Sequence, residues 1–219
     1  LYQWLYMPFG LVNAPSTFQR LMIRILKPVL GKFALVYIDD ILIYARTPDE
    51  LIDNLQEVIN LIRKAGLKLK PKKCEIFAEK LSFLGHDVSA KGIEPLNHKV
   101  EAIKSWPAPT NVKEVITFVS LCSYYRKFVK NFAAIAFPLT RMTKKDSGFR
   151  WGIIEQEAFN VLKDKLTSAP ILVFHNPEKK CLLDCDASGN AIGCVLSQYD
   201  PEIGVSSAEV LAYGSKALS

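Results

Sequence analysis

The chain has 219 residues, and 49% of them are hydrophobic, so it is long enough to bury a core in more than one domain. A net charge of +6 and a pI near 9.0 are modestly basic and fit a polyanionic partner. The sequence shows no long apolar run, signal peptide, internal repeat or paired cysteine spacing. These features argue against a membrane span, a repeat array and a disulfide framework, and they favour reduced, mostly buried thiols in an intracellular protein.

Basic residues fall into two clusters with few acidic neighbours. The first cluster is Arg63, Lys64, Lys68, Lys70, Lys72 and Lys73, and the second is Arg126, Lys127, Lys130, Arg141, Lys144, Lys145 and Arg150. Because phosphate charge supplies much of the affinity of nucleic-acid binding, this clustering favours a polyanionic partner more strongly than the net charge does.

The first predicted element is a helix from Ser16 to Leu30. Pro8 and Gly10 mark a loop before it, and Asn13 and Pro15 mark its start. Apolar residues recur along it at helical spacing: Phe18, Met22, Ile25 and Leu26.

The stretch FALVYIDDILIYA, residues 33–45, predicts a β-hairpin. Its two β-branched and aromatic runs, Leu35–Ile38 and Ile41–Tyr44, each have the length of one strand, with Asp39 and Asp40 as the turn between them. Adjacent carboxylates repel each other unless a cation neutralises them, and hard oxygen ligands of this kind suit Mg²⁺. The pattern is typical of a two-metal phosphoryl-transfer site, whose ions lie about 3.5–4 Å apart. The alternative is a solvated turn.

The segments MPFGLVNAPSTFQ and VYIDDILIYA together resemble the reverse transcriptase of gypsy-type LTR retrotransposons, which is part of a Pol polyprotein. The resemblance implies that Asp39 and Asp40 are catalytic and bind Mg²⁺ or Mn²⁺. It also implies a set of substrate-binding residues around the nucleotide, the template and the primer terminus: Phe9, Gly10, Gln19 and Tyr37.

An amphipathic helix from Leu51 to Ala65 is predicted next, ended by Gly66. The following segment, GLKLKPKKCEIF, resembles the polymerase motif with a basic residue near the incoming nucleotide, which implies Lys73 as a catalytic general acid. The alternative is a solvated or phosphate-facing lysine-rich strand. The segment LSFLGHDVS, residues 81–89, resembles the primer grip, with Gly85 and His86 as substrate-binding residues; for His86, packing or sugar-phosphate contact is favoured over metal binding.

Two further helices are predicted at 96–106 and 112–129, and the segment from Trp106 to Thr140 resembles the thumb of the same family. The cluster Tyr124–Lys127 mixes aromatic and basic side chains. It suits either a surface that follows a nucleic-acid backbone or a core-facing aromatic pair with a solvated cationic face, and the two interpretations are evenly balanced.

A helix is predicted from Glu155 to Ser168, followed by strands at 171–174, 180–185, 191–196 and 210–213. The segment LLDCDASGNAIGCVLSQ resembles the first hairpin of the RNase H domain. This implies that Asp186 is a catalytic and metal-binding carboxylate, with Asp184 on the same strand face as a lesser candidate. A three-stranded sheet of this kind is expected to carry an unpaired edge and an exposed apolar face.

The predicted fold class is α/β (α+β). It comprises a partial polymerase palm with antiparallel hairpins at 1–90, a small helical thumb at 91–146, and a truncated ribonuclease H-like sheet at 147–219. The lysine-rich turn at 143–148 is the predicted domain boundary.

The resemblance implies a fragment of an RNA-directed DNA polymerase that adds dNTPs to a primer by two-metal phosphoryl transfer. Its implied partners are an RNA/DNA template–primer, a dNTP and the remainder of the Pol polyprotein, without a membrane partner, in a cytoplasmic particle or the nucleus. The alternatives are a catalytically dead retroelement relic that only binds nucleic acid, and a hydrolase centred on Asp186.

The polymerase of this family uses a further aspartate from a strand that precedes residue 1, and the nuclease uses further carboxylates that follow residue 219. We therefore expect residues 1–219 alone to lack robust polymerase or RNase H activity, because each missing ligand weakens metal binding and transition-state stabilisation.

Overall fold

A computed structural model describes residues 2–144 and 148–218. The chain forms two compact units that divide between Ala78 and Glu79. The division at residue 90 remains a prediction about family domains. The domain boundary at 143–148 also remains a prediction, and residues 145–147 lie outside the described part of the chain. Within the described residues no helix combines the length and apolar character needed to span a bilayer.

The first unit contains two helices and a hairpin. Helix α1 spans Ala14–Leu26, strands β1 and β2 span Ala34–Tyr37 and Asp40–Ile43, and helix α2 spans Pro48–Lys64. A short 3-10 helix follows at Pro71–Lys73. The core between these elements consists of Met22, Leu26, Val29, Ala34, Val58 and Ile62.

Local sequence signals explain where these helices begin and end. Helix α1 stops at Leu26, four residues before the predicted end, because Pro28 cannot supply a backbone N–H to continue it. Helix α2 begins earlier than predicted, after Thr47, whose hydroxyl accepts a hydrogen bond from the Glu50 N–H at 3.2 Å. Gly66, with φ +72°, follows its C-terminus as expected.

The predicted hairpin is confirmed, but its turn lies one residue earlier than expected. Tyr37 pairs with Asp40, so the two loop residues are Ile38 and Asp39, and Asp40 begins β2. Ile38 adopts φ +55° in this turn, a backbone conformation that β-branched residues rarely adopt. The predicted Asp-Asp turn is therefore wrong by one position, and the two carboxylates occupy different structural positions.

The second unit begins with a three-stranded antiparallel sheet. Strands β3, β4 and β5 span Lys80–Phe83, His86–Ser89 and Gly92–Pro95. Strands β3 and β4 thus form a hairpin over the segment 81–89 that resembles the primer grip. Its turn consists of Leu84 and Gly85, both with positive φ (+47° and +69°), the combination that a tight type I′ turn requires.

Four helices follow this sheet: α3 at Asn97–Lys104, α4 at Val112–Tyr124, α5 at Phe132–Met142 and α6 at Ile153–Thr167. The helix predicted to run from 112 to 129 ends at Tyr124 and gives way to a 3-10 turn at Arg126–Phe128. Helices α3 to α6 share one core, in which the Phe118 and Phe159 rings lie 4.5 Å apart between centroids. The segment predicted as the thumb and the segment predicted as the start of the RNase H domain therefore pack together as one body.

The last element is a second antiparallel sheet in the order β6-β7-β8, at Lys180–Ala187, Ala191–Tyr199 and Glu209–Ala217. Helix α5 packs on β7 and β8. The strand predicted at 171–174 is wrong: only Leu172 forms a bridge, to Ile93 of β5. Among the described residues β6 is an edge strand, and Leu183 and Ile192 are exposed on the sheet, as expected for an uncovered apolar face.

The cysteines are more exposed than the composition suggested. Only Cys122 is buried, and burial raises the pKa of its thiol to about 12. Cys74, Cys181 and Cys185 are exposed, and Cys194 is half-buried. The expectation of mostly buried thiols is therefore wrong: Cys181 and Cys185 lie on β6, which is an edge strand among the described residues, and Cys74 follows the exposed 3-10 helix.

We predict that Gly92→Ala destabilises the second unit by about 2–3 kcal/mol. Gly92 has φ +134°, and a Cβ built there would lie 2.2 Å from the Leu172 carbonyl oxygen. Chemical denaturation followed by circular dichroism measures the effect. As a control, Gly189→Ala should change stability by less than about 0.5 kcal/mol, because its backbone is unstrained and no atom lies within 4 Å of the new Cβ. Equal effects at both positions would contradict the explanation.

Candidate functional site

The paired aspartates lie at the tip of the β1–β2 hairpin. Asp39 occupies the second turn position, Asp40 opens β2, and both side chains are exposed. Tyr37, the register partner of Asp40, is also exposed. The hairpin therefore presents two carboxylates and a tyrosine at one end of a short two-stranded ribbon.

Gln19 of helix α1 holds this turn through two main-chain contacts. Its amide nitrogen donates to the Val36 carbonyl oxygen at 3.3 Å, and its amide oxygen accepts a hydrogen bond from the Ile38 N–H. Because both contacts are to backbone, they fix the path of the strand and of the turn that carries Asp39. Gln19 is thus brought to the predicted site, where its side chain orients the turn, and we call its two main-chain contacts the Gln19 clamp.

The backbone at Ile38 is strained. A β-branched residue with positive φ costs of order 1–3 kcal/mol and persists only where surrounding contacts hold it. The Gln19 contact to the Ile38 N–H is one such contact, and Val36 and Ile41 pack beneath the hairpin against the core. Strain of this kind clusters at functional sites, which supports a role for the turn beyond connecting two strands.

The donor set at the hairpin fits a hard divalent cation. Mg²⁺ binds proteins through one or two carboxylates and keeps waters or substrate phosphates as its other ligands. Asp39 and Asp40 provide two exposed carboxylates of this kind. Across residues 2–144 and 148–218, no group of three or more acidic, histidine or cysteine side chains is arranged to hold a metal.

The other predicted residues of the first unit lie on exposed segments. Phe9 is fully exposed and Gly10 adopts φ +91° in a loop before α1. Lys73 ends the 3-10 helix Pro71–Lys73 and is exposed, so the lysine-rich segment here is not the strand considered above. The whole first basic cluster is exposed, which leaves its charge available to a polyanion.

Two tyrosines at the end of α4 hold the turn of the β3–β4 hairpin. The Tyr124 hydroxyl donates to the Leu84 carbonyl oxygen at 2.7 Å, and the Tyr125 hydroxyl donates to the Gly85 carbonyl oxygen at 2.9 Å. Gly85 is required here, because a Cβ would lie 2.8 Å from the Tyr124 hydroxyl. We call these contacts the tyrosine latch.

His86 follows that turn and packs among aromatic rings. Its ring stacks on Tyr124 at 5.5 Å between centroids and contacts Tyr125 and Phe128 at 5.7 and 5.8 Å. Nδ1 lies 2.7 Å from the Leu84 carbonyl oxygen, while Nε2 is buried without a hydrogen-bond partner. Burial lowers the pKa of His86, and the Lys127 ammonium lowers it further. The packing interpretation of His86 agrees with these contacts.

The side chains of the Tyr124–Lys127 cluster do not all fit one interpretation, either as a surface for a nucleic-acid backbone or as a core-facing aromatic pair with a solvated cationic face. Tyr125 is buried in the core, whereas Tyr124 is 53% exposed. Arg126 donates to the Ser215 carbonyl oxygen of β8 and lies over the Phe132 ring. Burial lowers the pKa of Lys127, which lies over the Phe128 ring. Both cations are therefore engaged with the protein, and the cluster is largely structural.

Asp186 lies on the exposed edge strand β6, opposite Gly193 of β7. Beside it is a small pocket whose wall includes Asn131, Ser188 and Ser215. Asn131 has φ +58°, and its Oδ1 sits so close to Gly193 that a Cβ there would lie 2.1 Å from it. Asp184 shares the Asp186 face by strand alternation.

The structure thus divides the predicted residues into four groups. Gln19 and Tyr37 accompany Asp39 and Asp40 at the hairpin of the first unit, whereas Phe9, Gly10 and Lys73 lie on other exposed segments of that unit. Gly85 and His86 lie at the turn held by the tyrosine latch, and Asp186 lies on β6 with Asp184 on the same strand face. Sequence reasoning missed the latch role of Tyr124 and Tyr125 and the position of Asn131. No local signal could have found the latch, since 40 residues separate each hydroxyl from its acceptor.

Two family models match the chain. One, described as reverse transcriptase (RNA-dependent DNA polymerase), matches residues 1–88. The other, described as an RNase H-like domain found in reverse transcriptase, matches residues 151–219. Between them they account for most of the chain, in the order expected from the motifs.

Curated relatives include retrotransposon polyproteins. The chain is 46% identical over 198 residues to the Pol polyprotein from transposon 297 of Drosophila melanogaster, covering 90% of this chain and 19% of that protein. It is 40% identical to the Pol polyprotein from transposon opus of the same species and 32% identical to the transposon Tf2-3 polyprotein of Schizosaccharomyces pombe, of which it covers 21% and 15%. The chain spans about a fifth or less of these relatives.

Solved structures share the fold. A foamy viral protease-reverse transcriptase in complex with double-stranded DNA gives a TM-score of 0.84 at 23% identity, covering 99% of this chain and 37% of that one. The same viral protein in complex with an RNA/DNA hybrid gives a TM-score of 0.82 and covers 99% and 29%. At this identity the likeness concerns the fold.

We predict that Gln19→Met loosens the β1–β2 turn. The substitution keeps the side-chain length but removes both main-chain contacts, at a cost of about 1–3 kcal/mol. Hydrogen exchange of the Ile38 amide should accelerate, because its N–H loses its acceptor. Gln56→Met, at an exposed position on α2, is the matched control and should leave the Ile38 exchange rate unchanged. Wild-type protection of Ile38 in Gln19→Met would rule out the clamp.

We predict that acid destabilises the second unit through His86. Its folded-state pKa is lower than its unfolded value of 6.5, so the unfolded chain binds the proton more readily. The stability contribution is complete above about pH 6.5 and is lost as the pH falls through the lower folded pKa. Melting temperatures measured across this range should fall less steeply with acid in His86→Phe than in wild type. His98→Phe, at an exposed histidine, should retain the wild-type slope.

Proposed function

The chain belongs to the reverse transcriptase family of retrotransposon Pol polyproteins, and from this premise we propose that Asp39 and Asp40 are the metal-binding carboxylates of its polymerase. The observation that carries the proposal is the hairpin tip, where a strained turn held by Gln19 presents two adjacent exposed carboxylates. The gypsy-type affiliation is part of the same proposal. It is supported by the motifs and by the transposon polyproteins that the chain resembles.

Asp39 and Asp40 would hold Mg²⁺ or Mn²⁺ at the end of the ribbon. A divalent ion bound there supplies charge stabilisation to the transferring phosphoryl group of a dNTP. The protein's own contribution is to hold these two carboxylates in position. The short strands β1 and β2 and the Gln19 contacts keep the two carboxylates in one geometry, which is the preorganisation that electrostatic catalysis needs.

Residues around the hairpin would bind the substrates. Tyr37 lies beside Asp40 and is free to contact the primer terminus, and the exposed Phe9 and Gly10 would face the nucleotide and template. Lys73 would act on the pyrophosphate leaving group as a general acid. Its exposure, among five other exposed basic residues, supports a phosphate contact of some kind.

The β3–β4 turn would hold the primer strand. Gly85 and His86 lie at a turn whose two carbonyl groups are fixed by the tyrosine latch, so the turn is presented as a rigid feature. A rigid turn positions a nucleic-acid backbone with little loss of entropy on binding. The foamy viral proteins of the same fold were solved in complexes with double-stranded DNA and an RNA/DNA hybrid, which supports a template–primer as partner.

Asp186 would serve the second activity, as a metal-binding carboxylate of the RNase H-like domain. Its exposure on the edge of β6 supports this role, because a nuclease carboxylate must meet both a cation and the nucleic acid. We further propose that the chain works within its polyprotein, in a cytoplasmic particle or the nucleus.

The test is primer extension on an RNA template by the full Pol polyprotein that contains this chain. Asp39→Asn and Asp40→Asn should each lower the extension rate by at least about 100-fold, because a lost carboxylate removes both metal affinity and transition-state charge stabilisation. Asp53→Asn, at an exposed position on α2, is the matched control and should retain wild-type extension.

Two results would contradict the proposal. Undiminished extension in Asp39→Asn and Asp40→Asn would remove these residues from the metal site. A wild-type polyprotein that binds template–primer with strong salt dependence but never extends it would instead favour the nucleic-acid-binding relic.

A further inference from the structure

Two cysteines face each other across the β6–β7 hairpin. Cys185 of β6 and Cys194 of β7 are direct register partners in the antiparallel ladder. Side chains of directly opposed residues project from the same face of a sheet. Here that face is the one that also exposes Leu183 and Leu196, which are direct partners two positions along the ladder.

The hydrogen-bond phase of the ladder decides how close the two residues lie. The Ser188 N–H donates to the Ala191 carbonyl oxygen at 2.8 Å, which makes this pair a hydrogen-bonded one. Hydrogen-bonded and non-hydrogen-bonded pairs alternate along an antiparallel ladder, so Cys185 and Cys194, three positions further on, form a non-hydrogen-bonded pair.

That phase brings the two α-carbons within disulfide range. Directly opposed residues in a non-hydrogen-bonded pair have α-carbons about 4.5 Å apart. Disulfides span α-carbon separations of roughly 4.4–6.8 Å, so the pair lies at the short end of that range. The backbone therefore already meets the distance condition for a bond between the two sulfurs.

Solvent can reach both thiols, and the sulfur of Cys194 has space to move. Cys185 is exposed and Cys194 is half-buried. Cys194 Sγ currently lies over Gly214 of β8, where a Cβ would be 2.6 Å from it, so the missing side chain at Gly214 gives the sulfur space. Because Gly214 and Cys185 flank Cys194 on opposite neighbouring strands, we expect a rotation about χ1 of Cys194 to carry its sulfur from the Gly214 side toward Cys185.

We propose that Cys185 and Cys194 are a reversible redox modification site, which a peroxide converts into a cross-strand disulfide. The Cys185 thiolate attacks one peroxide oxygen; the S–O bond forms, the O–O bond breaks, and hydroxide leaves. The Cys194 thiolate then attacks the sulfenic sulfur; the S–S bond forms and the oxygen departs as hydroxide. The two thiol protons and the two hydroxides give two waters, so two thiols and one hydrogen peroxide yield one disulfide.

The disulfide would act on the strand that carries Asp186. Strand β6 pairs only with β7 within the described residues, so its amides exchange by local fraying at the sheet edge. A covalent link beside the Asp186–Gly193 pair closes a loop over residues 186–193 and restrains that fraying. The inference rests on strand register, hydrogen-bond phase and the exposure of the two cysteines, and it holds whether or not the chain acts as a polymerase.

The experiment treats the purified chain with hydrogen peroxide and digests it without reduction. Cleavage before aspartate separates Cys185 from Cys194, because Asp186 lies between them. We expect the peptide ending at Cys185 and the peptide 186–199 to remain joined, to separate on reduction with dithiothreitol, and two of the five thiols to be lost. Amide exchange along β6 and β7 should slow on oxidation and recover on reduction.

Cys181 provides the matched control. It is exposed on the same strand face, but its register partner is Gln198, so Cys181→Ser should still form the bond while Cys185→Ser should not. Separate peptides with five free thiols would overturn the proposal. Links between chains through Cys74 or Cys181, in place of the internal bond, would also overturn it.

Discussion

Both hairpins at the candidate sites depend on the same constraint: a helix side chain holds the main chain of a tight turn. Ile38 and Leu84 have φ values of +55° and +47°, which non-glycine residues adopt at a cost. Gln19 bonds the Ile38 N–H, and Tyr124 bonds the Leu84 carbonyl oxygen. Because these contacts are to backbone, they hold the shape of the turns, and at the first turn they leave the side chains of Asp39 and Asp40 exposed.

The tyrosine latch also connects the second unit's first sheet to its helical core. Tyr125 is buried among the residues of α4, α5 and α6 while its hydroxyl reaches Gly85. Immediately after it, Arg126 bonds the Ser215 carbonyl oxygen of β8, and the Ser215 hydroxyl accepts from the Ala133 N–H at 2.9 Å. One short segment therefore ties together the hairpin, the helices and the last sheet, which explains why its basic residues are engaged internally.

The sheet β6-β7-β8 is organised differently from the rest of the second unit. Helix α5 packs on β7 and β8, whereas β6 exposes its edge and much of its outer face in the described part of the chain. That openness gives Asp186 access to solvent and leaves the thiols of Cys185 and Cys194 accessible together. An unpaired strand edge is also the usual route to association between chains, so we expect poor solubility or self-association of the RNase H-like piece in isolation.

The sequence alone was sufficient to identify the family, the order of the helices and hairpins, and the Asp39-Asp40 motif, because periodicity and turn chemistry are local properties. It misplaced the turn by one residue and extended α1 and α4 too far, since turn register and helix ends depend on which backbone groups find partners. Only the tertiary structure revealed the Gln19 clamp, the latch from Tyr124 and Tyr125, and the facing cysteines. Each of these joins groups distant in sequence, or depends on hydrogen-bond phase, which the order of residues does not display.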